Sequence, residues 1–361
     1  MLFYHGFFWS GVMGSGTAIS AFIAFTRKGW LGVNLFFVLS GFLITGILVD
    51  SRCKEDYYKK FYARRALRIL PAYYGTLLVL LVTGLKPLSF LVLSFFYLSN
   101  VTPLFGVVQA YPVLWSLAVE EHFYLLWPTI VRRFSIHRIE QIAIAVICIV
   151  PALRLASYLL TWRTGLRNYT WLVADGLAMG AWLAIRVRKP GLTRERLARI
   201  SLGALAVATI AAFAFGKFGI LTDQRPLGAA FRESCGNLAF LGLIGLALFV
   251  GTGNWKTLIQ RPFLKFYGDI SYGLYLIHLL VFGQYDRLVR HFLPQYLPST
   301  GGFAISTVRF LICAVSATGL ALLSRRYFEE PFLRMKTRFG AGAPPTDSPS
   351  SALSKPSGQE P

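Results

Sequence analysis

Long apolar stretches recur along the whole chain, and they constrain its fold more than any other feature. A helix needs about 20 mostly apolar residues to cross the hydrocarbon core of a bilayer, which is roughly 30 Å thick. Only 15% of the residues are charged and the mean hydropathy is +0.54, which excludes an ordinary soluble enzyme. We therefore predict an all-α bundle of membrane-spanning helices. The candidate spans are Leu31–Val49, Pro71–Leu85, Trp115–Val131, Ile139–Leu160, Trp171–Ile185, Ser201–Ile220, Phe231–Gly251, Phe266–Phe282 and Gly302–Leu323.

Two further apolar runs decide how often the chain crosses. Leu2–Gly14 is short for a span, and Leu88–Phe105 is interrupted by Ser, Asn and Pro. If Leu88–Phe105 is re-entrant or interfacial, the loops on one side of the membrane hold 25 Lys and Arg residues and the opposite loops hold 8. Cytoplasmic loops collect Lys and Arg. The charges thus predict about ten transmembrane helices, one extra re-entrant or interfacial segment and a cytoplasmic C-terminus.

The same loops account for the formal net charge of +21. In a soluble protein this charge would suggest a nucleic-acid partner, but here we expect none. The four cysteines, Cys53, Cys148, Cys235 and Cys313, are scattered and form no C-x-x-C pair. Neither a disulfide framework nor a metal site is therefore expected.

The two ends of the chain depart from this pattern. Only four residues precede His5 in a short apolar segment, so we expect that this segment lies in the interface, or that the first helix is truncated or has its true start upstream. Residues 339–361 are rich in Pro, Ser and Gly, a composition typical of disordered segments. The predicted organisation is a transmembrane domain at 1–338 and a disordered cytoplasmic tail at 339–361.

Ionisable residues inside apolar segments are costly and usually functional. Glu120 and Glu121 stand at the start of a span, and adjacent helical positions lie about 100° apart, so at least one must face the bundle. The alternative is an interfacial pair that bonds a neighbouring arginine. His5, between Tyr4 and Gly6, is a candidate general base near neutral pH, although a lone histidine is more often a packing residue.

Three arginines precede the second candidate span, in the segment Phe61–Tyr74. Arg65 and Arg68 lie at i and i+3 on one helix face, with Arg64 beside them. Guanidinium groups that converge in this way suit phosphate. The segment therefore suggests a phosphate-bearing ligand, and the alternative is an ordinary cytoplasmic anchor.

Other polar residues within spans have both a packing and a functional interpretation. Ser40 and Gly41 permit close helix approach, near the amide of Asn34. Asp175 lies among small residues, where it could pair with an arginine such as Arg154. Tyr272 and Tyr275 share helical spacing and suggest one polar stripe, to which Asp269 and His278 could belong. Interhelical hydrogen bonding is the alternative for this stripe.

Seven sequence blocks, taken in their order along the chain, resemble the integral-membrane acyltransferase-3 family. Members of this family O-acetylate polysaccharide, lipopolysaccharide and peptidoglycan. Each block is weakly specific, but the ordered set is strongly specific and covers about residues 1–335. The blocks are Tyr4-His5, GVNLFFVLSGFLIT at 32–45, FYARRALRILPAYY at 61–74, LWSLAVEEHFYLLWP at 114–128, DGLAMGAWLA at 175–184, ISYGLYLIHLLV at 270–281 and YFEEPFLR at 327–334.

The resemblance implies an O-acyltransferase of the bacterial inner membrane that moves an acyl group, expected to be acetyl, from cytoplasmic acyl-CoA to a hydroxyl of an extracytoplasmic or lipid-linked glycan. His5 would be the base or a transient acyl carrier, and Glu120 or Glu121 the acidic residue. Arg65 and Arg68, with Arg64, would bind the phosphates of coenzyme A. The remaining candidate substrate-lining residues are Asn34, Trp115, Ser116, Tyr124, Asp175, Tyr272, Tyr275 and His278.

The resemblance also sets expectations about partners. No permanently bound cofactor and no metal are expected, because acyl-CoA acts as a donor substrate. We expect no soluble esterase-like domain after the last span, so the chain would finish the transfer itself or pass the acyl group to a separate periplasmic partner. The family's first-helix arginine, about eleven residues before the histidine, is missing here, and Asn34 stands where many members have Asp. The alternatives are a transporter of a lipid-linked sugar or small solute, or an inactive truncated paralogue.

Overall fold

The computed structural model describes residues 1–8, 16–161, 168–218, 225–250, 261–296 and 298–336. Every regular element in these ranges is helical, as the apolar pattern predicts. A short π-helical segment, Tyr4–Phe8, comes first. The α-helices are α1 (Thr17–Arg27), α2 (Leu31–Asp50), α3 (Tyr57–Val82), α4 (Leu88–Phe95), α5 (Leu114–Arg133), α6 (Ile136–Thr161), α7 (Thr170–Arg186), α8 (Arg194–Lys217), α9 (Pro226–Val250), α10 (Pro262–Phe292), α11 (Pro298–Leu323, interrupted at Gly302) and α12 (Glu330–Arg334).

The helices form two compact units. Unit 1 comprises Met1–Gly32, Tyr62–Leu114 and Pro262–Phe339. In it, Ile270 and Leu274 of α10 pack against two small residues of α11, Ala317 and Ala321. The Tyr73 hydroxyl donates to the Ser94 carbonyl at 2.7 Å, which ties α3 to the end of α4.

Unit 2 comprises Val33–Phe61 and the described residues of Trp115–Arg261. Its α2 and α7 cross at a pair of glycines: a Cβ at Gly41 would clash with the Leu177 carbonyl, and one at Gly180 with the Val38 carbonyl. The sequence analysis assigned Gly41 to close helix approach, and the structure confirms it. This backbone contact is possible only because neither glycine has a side chain.

Among the described residues, six helical segments are long and apolar enough to cross a membrane, which confirms a membrane-type bundle but not the predicted count of about ten. They are Thr17–Asp50, Tyr57–Val82, Ile136–Leu160, Arg194–Lys217, Pro226–Phe249 and Gly302–Arg334. Large apolar side chains point outward from them, for example Leu78, Ile210 and Val315, which are 59%, 66% and 72% exposed. Water would not favour such surfaces, whereas lipid does.

Two segments differ from the predicted spans, and a third bears on the re-entrant or interfacial prediction. Residues 17–27, predicted to lie between spans, form α1, since a run of Ala, Ile and Phe has no breaker. Helix α3 begins at Tyr57 rather than at Pro71, because a proline is tolerated inside a long membrane helix when neighbours satisfy the freed backbone groups. Leu88–Phe105 contains the eight-residue α4, about 12 Å long and too short to span, in keeping with the re-entrant or interfacial prediction. The predicted tail at 339–361 lies outside the described residues.

Candidate functional site

Two buried histidines meet in unit 1. His5 lies in the segment Tyr4–Phe8 and His278 in α10, and they are only 4% and 1% exposed. The Nδ1 atom of His5 lies 3.0 Å from Nε2 of His278. Sequence reasoning named both residues but assigned them to different roles. The structure joins them in one hydrogen-bonded pair, 273 positions apart along the chain.

The hydrogen bonds determine which nitrogen of each ring holds a proton. His278 Nδ1 lies 3.1 Å from the Leu274 carbonyl, and a carbonyl only accepts, so Nδ1 donates. In neutral His278 the Nε2 atom is then the acceptor, and it accepts a hydrogen bond from His5 Nδ1–H. Neutral His5 consequently carries its lone pair on Nε2. This is the form of imidazole that a general base or a nucleophile requires.

The two predicted acids have different environments in unit 2. Glu120 of α5 is 3% exposed, whereas Glu121 is partly exposed. The Tyr124 hydroxyl donates to Glu120 at 3.0 Å and lies 2.7 Å from the Ser40 hydroxyl. The sequence expectation that at least one glutamate faces the bundle is confirmed, and the buried one is Glu120. Nearby on α5, Ser116 is fully buried and Trp115 contacts the ring of Phe37 edge-on.

Asp175 of α7 is completely buried and forms an ion pair with Arg154 of α6. This is the partner that the sequence analysis named. The Ser234 hydroxyl of α9 completes the group, since it donates to Asp175 at 2.6 Å and accepts from Arg154 at 3.0 Å. The result is a polar link between three helices, as the packing interpretation expects.

Asn34 also joins helices of unit 2. Its Nδ2 donates to Asn237 Oδ1 at 2.7 Å and to the Glu233 carboxylate at 3.0 Å. Both partners lie on α9, so Asn34 ties α2 to that helix. Asn237 and Ser234 were missed by sequence reasoning because single polar residues in an apolar helix carry no pattern.

The three predicted arginines of α3 belong to a larger basic cluster in unit 1. Burial, together with the positive charges of Arg68, Arg65, Arg325 and Arg64, lowers the pKa of Lys336 to about 8. Arg325 forms an ion pair with Glu330 at 3.3 Å. We name Arg64, Arg65, Arg68, Arg325 and Lys336 the basic cluster. Sequence reasoning missed its last two members because they lie more than 250 positions from the first three.

The polar stripe on α10 is shorter than predicted. The Tyr275 and His278 rings are neighbours, with centroids 5.9 Å apart, and the Tyr272 hydroxyl donates to the Ile69 carbonyl of α3 at 3.1 Å. Asp269 is exposed and does not extend the buried stripe. The tyrosine at 272 therefore has a helix-packing role, and the one at 275 lies beside the histidine pair.

Other candidate features lie away from these residues. A cavity of about 420 Å³ in unit 2 is lined by Arg188, Lys189 and His137 among others, but Arg188 pairs with Asp50 and Lys189 with Glu140. Among the described residues, no group of three or more His, Cys, Asp or Glu side chains is arranged to hold a metal ion.

The described residues form an all-helical membrane-type bundle with a buried histidine pair and a basic cluster, and comparison with known proteins identifies the family. Residues 1–325 match the acyltransferase-3 family model, described as "Acyltransferase domain". The chain belongs to this family, which confirms the resemblance found in the sequence.

Named relatives are O-acetyltransferases. The chain is 27% identical over 292 residues to peptidoglycan O-acetyltransferase OatA of Listeria monocytogenes, covering 71% of this chain and 45% of the relative. It is 28% identical over 336 residues to O-acetyltransferase OatA of Staphylococcus aureus, covering 84% of this chain and 52% of the relative. The chain thus spans about half the length of these relatives. No solved structure matches it significantly.

Proposed function

We propose that this protein transfers an acetyl group from acetyl-CoA to a hydroxyl of a cell-envelope glycan at the bacterial inner membrane. The observation that carries the proposal is the buried His5–His278 pair, whose hydrogen bonds leave the lone pair of neutral His5 on Nε2. Membership of the acyltransferase family and the names of the relatives support acetyl transfer as the reaction class.

In the proposed reaction, His5 Nε2 takes the proton of the sugar hydroxyl as the oxygen attacks the thioester carbonyl. The new C–O bond forms and the C–S bond breaks, so the acetyl group leaves coenzyme A for the sugar. The departing thiolate takes the proton from the His5 imidazolium, which restores neutral His5. His278 Nε2 accepts the hydrogen bond from His5 Nδ1–H throughout, so it orients the base and stabilises its charged form.

The basic cluster is the proposed site for the donor's phosphates. Coenzyme A is a polyanion, and arginines bind phosphate through paired hydrogen bonds. The cluster combines two distant parts of the sequence. Arg64, Arg65 and Arg68 belong to α3, while Arg325 and Lys336 lie in the segment that follows α11. In this proposal the donor enters from the cytoplasmic side, where the positive-inside rule locates these residues, and the acceptor glycan lies on the outer side.

Glu120 is the proposed acidic residue of unit 2. A buried carboxylate that already accepts from Tyr124 can orient a sugar hydroxyl or offset positive charge that develops during transfer. Its neighbours Trp115, Ser116 and Tyr124 are proposed to line the substrate path. The protein either completes the transfer or passes the acetyl group to a periplasmic partner.

The test is acceptor-dependent release of coenzyme A by the full chain in lipid nanodiscs, with acetyl-CoA and peptidoglycan fragments. His5→Ala should abolish release, and the double variant Arg65→Ala, Arg68→Ala should raise the KM for acetyl-CoA by more than tenfold. His291→Ala is the matched control, since His291 lies on the same helix as His278 but is exposed. Full activity in His5→Ala would reject the base assignment, and substrate flux without acetyl-CoA would favour a transporter.

A further inference from the structure

We infer that Arg309, held by Asp286, is a positioning residue that fixes the His5 segment for catalysis. The inference rests on the proposed function, because it assigns to Arg309 an effect on the reactivity of His5. Neither residue belongs to a matched sequence block: Arg309 is a single arginine within the apolar α11, and Asp286 is a single acid near the end of α10.

Arg309 is held on all sides in unit 1. It is 4% exposed, and its Nε and Nη2 atoms donate to the two Asp286 carboxylate oxygens at 2.6 and 2.7 Å. The Phe282 ring lies under the guanidinium, 4.7 Å from its centroid. A two-point ion pair with a stacked ring fixes the orientation of a guanidinium more firmly than a single contact does.

The remaining nitrogen of this guanidinium points to the histidine segment. Arg309 Nη1 donates to the Gly6 carbonyl at 2.9 Å, one residue from His5. The next side chain of α11 contacts the same glycine, since a Cβ at Gly6 would lie 2.5 Å from the Phe310 ring. The Phe3 and Phe7 rings flank Phe310, with centroids 4.7 and 5.0 Å away.

These contacts matter because Tyr4–Phe8 has only five residues. A helical segment of this length has no stability of its own in isolation, so its position depends on what holds it. Helix α11 holds its backbone through Arg309, and α10 holds its imidazole through His278.

Three residues on one face of α10 support these contacts, either directly or through Arg309. His278, Phe282 and Asp286 are spaced four residues apart, so they lie in line along the helix. His278 binds the imidazole, Phe282 stacks on the guanidinium and Asp286 orients it. Helix α10 thus positions both the imidazole of His5, through His278, and the backbone of the His5 segment, through Arg309. Precise positioning of a base requires such an arrangement.

The test compares Arg309→Lys and Asp286→Asn with Arg188→Lys in full chains in nanodiscs. Arg188 makes the same two-point contact, with Asp50, but its third bond goes to Ala184, four residues earlier in the sequence. We expect kcat to fall about 10- to 100-fold in the first two variants, with both KM values within about twofold of the parent. The double variant should lose no more than the worse single one, because the two residues act together. Arg188→Lys should keep the parental kcat.

A second readout needs no activity. Diethyl pyrocarbonate acylates exposed neutral imidazole, so release of the His5 segment should speed modification of His5, followed by peptide mass spectrometry, while His291 reacts at the parental rate. Parental kcat and parental His5 modification in Asp286→Asn would overturn the inference. If His5→Ala stays fully active, the proposed function fails, and the modification rates still decide whether Arg309 holds the segment.

Discussion

At the scale of single residues, the direction of the hydrogen bonds around His5 determines its chemistry. The Leu274 carbonyl accepts only, so His278 must donate through Nδ1 and accept through Nε2. Had His278 met a hydroxyl instead of a carbonyl, either tautomer would have been possible. One backbone oxygen therefore determines which nitrogen of a neighbouring residue acts as the base.

This relation predicts a graded response at position 278. His278→Gln retains an oxygen that can accept from His5 Nδ1, whereas His278→Leu removes the acceptor and leaves a buried donor unsatisfied. We expect kcat to fall about tenfold in the first and at least 100-fold in the second, with a larger loss of stability in the second. Steady-state kinetics and thermal unfolding measure both. Equal losses in the two variants would contradict the tautomer assignment.

Lys336 gives a pH dependence to the proposed donor site. Its pKa of about 8 means that it loses its positive charge as the pH rises through that value. Binding of adenosine 3′,5′-bisphosphate, a phosphate-bearing fragment without a thiol, should weaken as the pH rises from 7 to 9. In Lys336→Arg the affinity should stay constant over this range, because arginine remains charged.

The lowered pKa of Lys336 also makes the stability of the protein depend on pH. Stability changes in the opposite direction to fragment binding as the pH rises. The unfolded chain has the ordinary lysine pKa of 10.5, so between about pH 8 and 10.5 it binds more protons than the folded protein. The contribution of Lys336 to the free energy of unfolding therefore rises with pH in this window. Calorimetric titration of the fragment, paired with thermal unfolding, separates the two effects. A pH-independent affinity in the parent would remove Lys336 from the site.

At the scale of helices, side-chain size decides which pairs pack closely. Helices α2 and α7 touch through backbone at Gly41 and Gly180, and this contact brings Asn34 of α2 within reach of α9. In contrast, Gly203 in the middle of α8 faces open space. Two glycines in helices of the same unit thus have different roles.

The contrast predicts opposite effects of one methyl group. Gly180→Ala should destabilise the protein by about 1–3 kcal/mol or more, because the helices must move apart. Gly203→Ala is the matched control and should be neutral or stabilising by up to about 1 kcal/mol, since alanine favours helix. Thermal unfolding in the same detergent compares them. A parental melting temperature for Gly180→Ala would contradict the close contact.

At the scale of the whole molecule, the number of membrane crossings stays a prediction. In the part of the chain that the structure describes, six segments satisfy length and hydropathy together, while α5, α7 and α10 are shorter or more polar. The charge distribution requires four further crossings if the 25 basic residues of one side are all cytoplasmic.

Cysteine labelling can test this topology. Val108 is 80% exposed and lies in the loop after Leu88–Phe105, which the ten-crossing prediction locates outside. In a chain without its native cysteines, Val108→Cys should react with a membrane-impermeant maleimide added to intact cells. Cys53, exposed in a predicted cytoplasmic loop, should react only after lysis when it is the sole cysteine. The reverse pattern would reject the predicted orientation.

The sequence by itself determined the helical membrane class, the family and most of the polar residues of interest, because apolar length, charge asymmetry and ordered motifs are local properties of the chain. Residues such as His5, Glu120, Asp175 and Arg65 could be named because ionisable side chains are conspicuous among apolar neighbours. Even the partner of Asp175 followed, since few cations lie within spans.

Only the tertiary structure decided which of these residues meet. The His5–His278 bond joins the beginning of the chain to its fourth quarter, and Arg309 reaches Gly6 across 303 positions. Hydrophobic periodicity specifies which face of a helix is buried, but it does not specify which other helix covers that face. The contacts that turn a histidine into a base are therefore decided by helix packing.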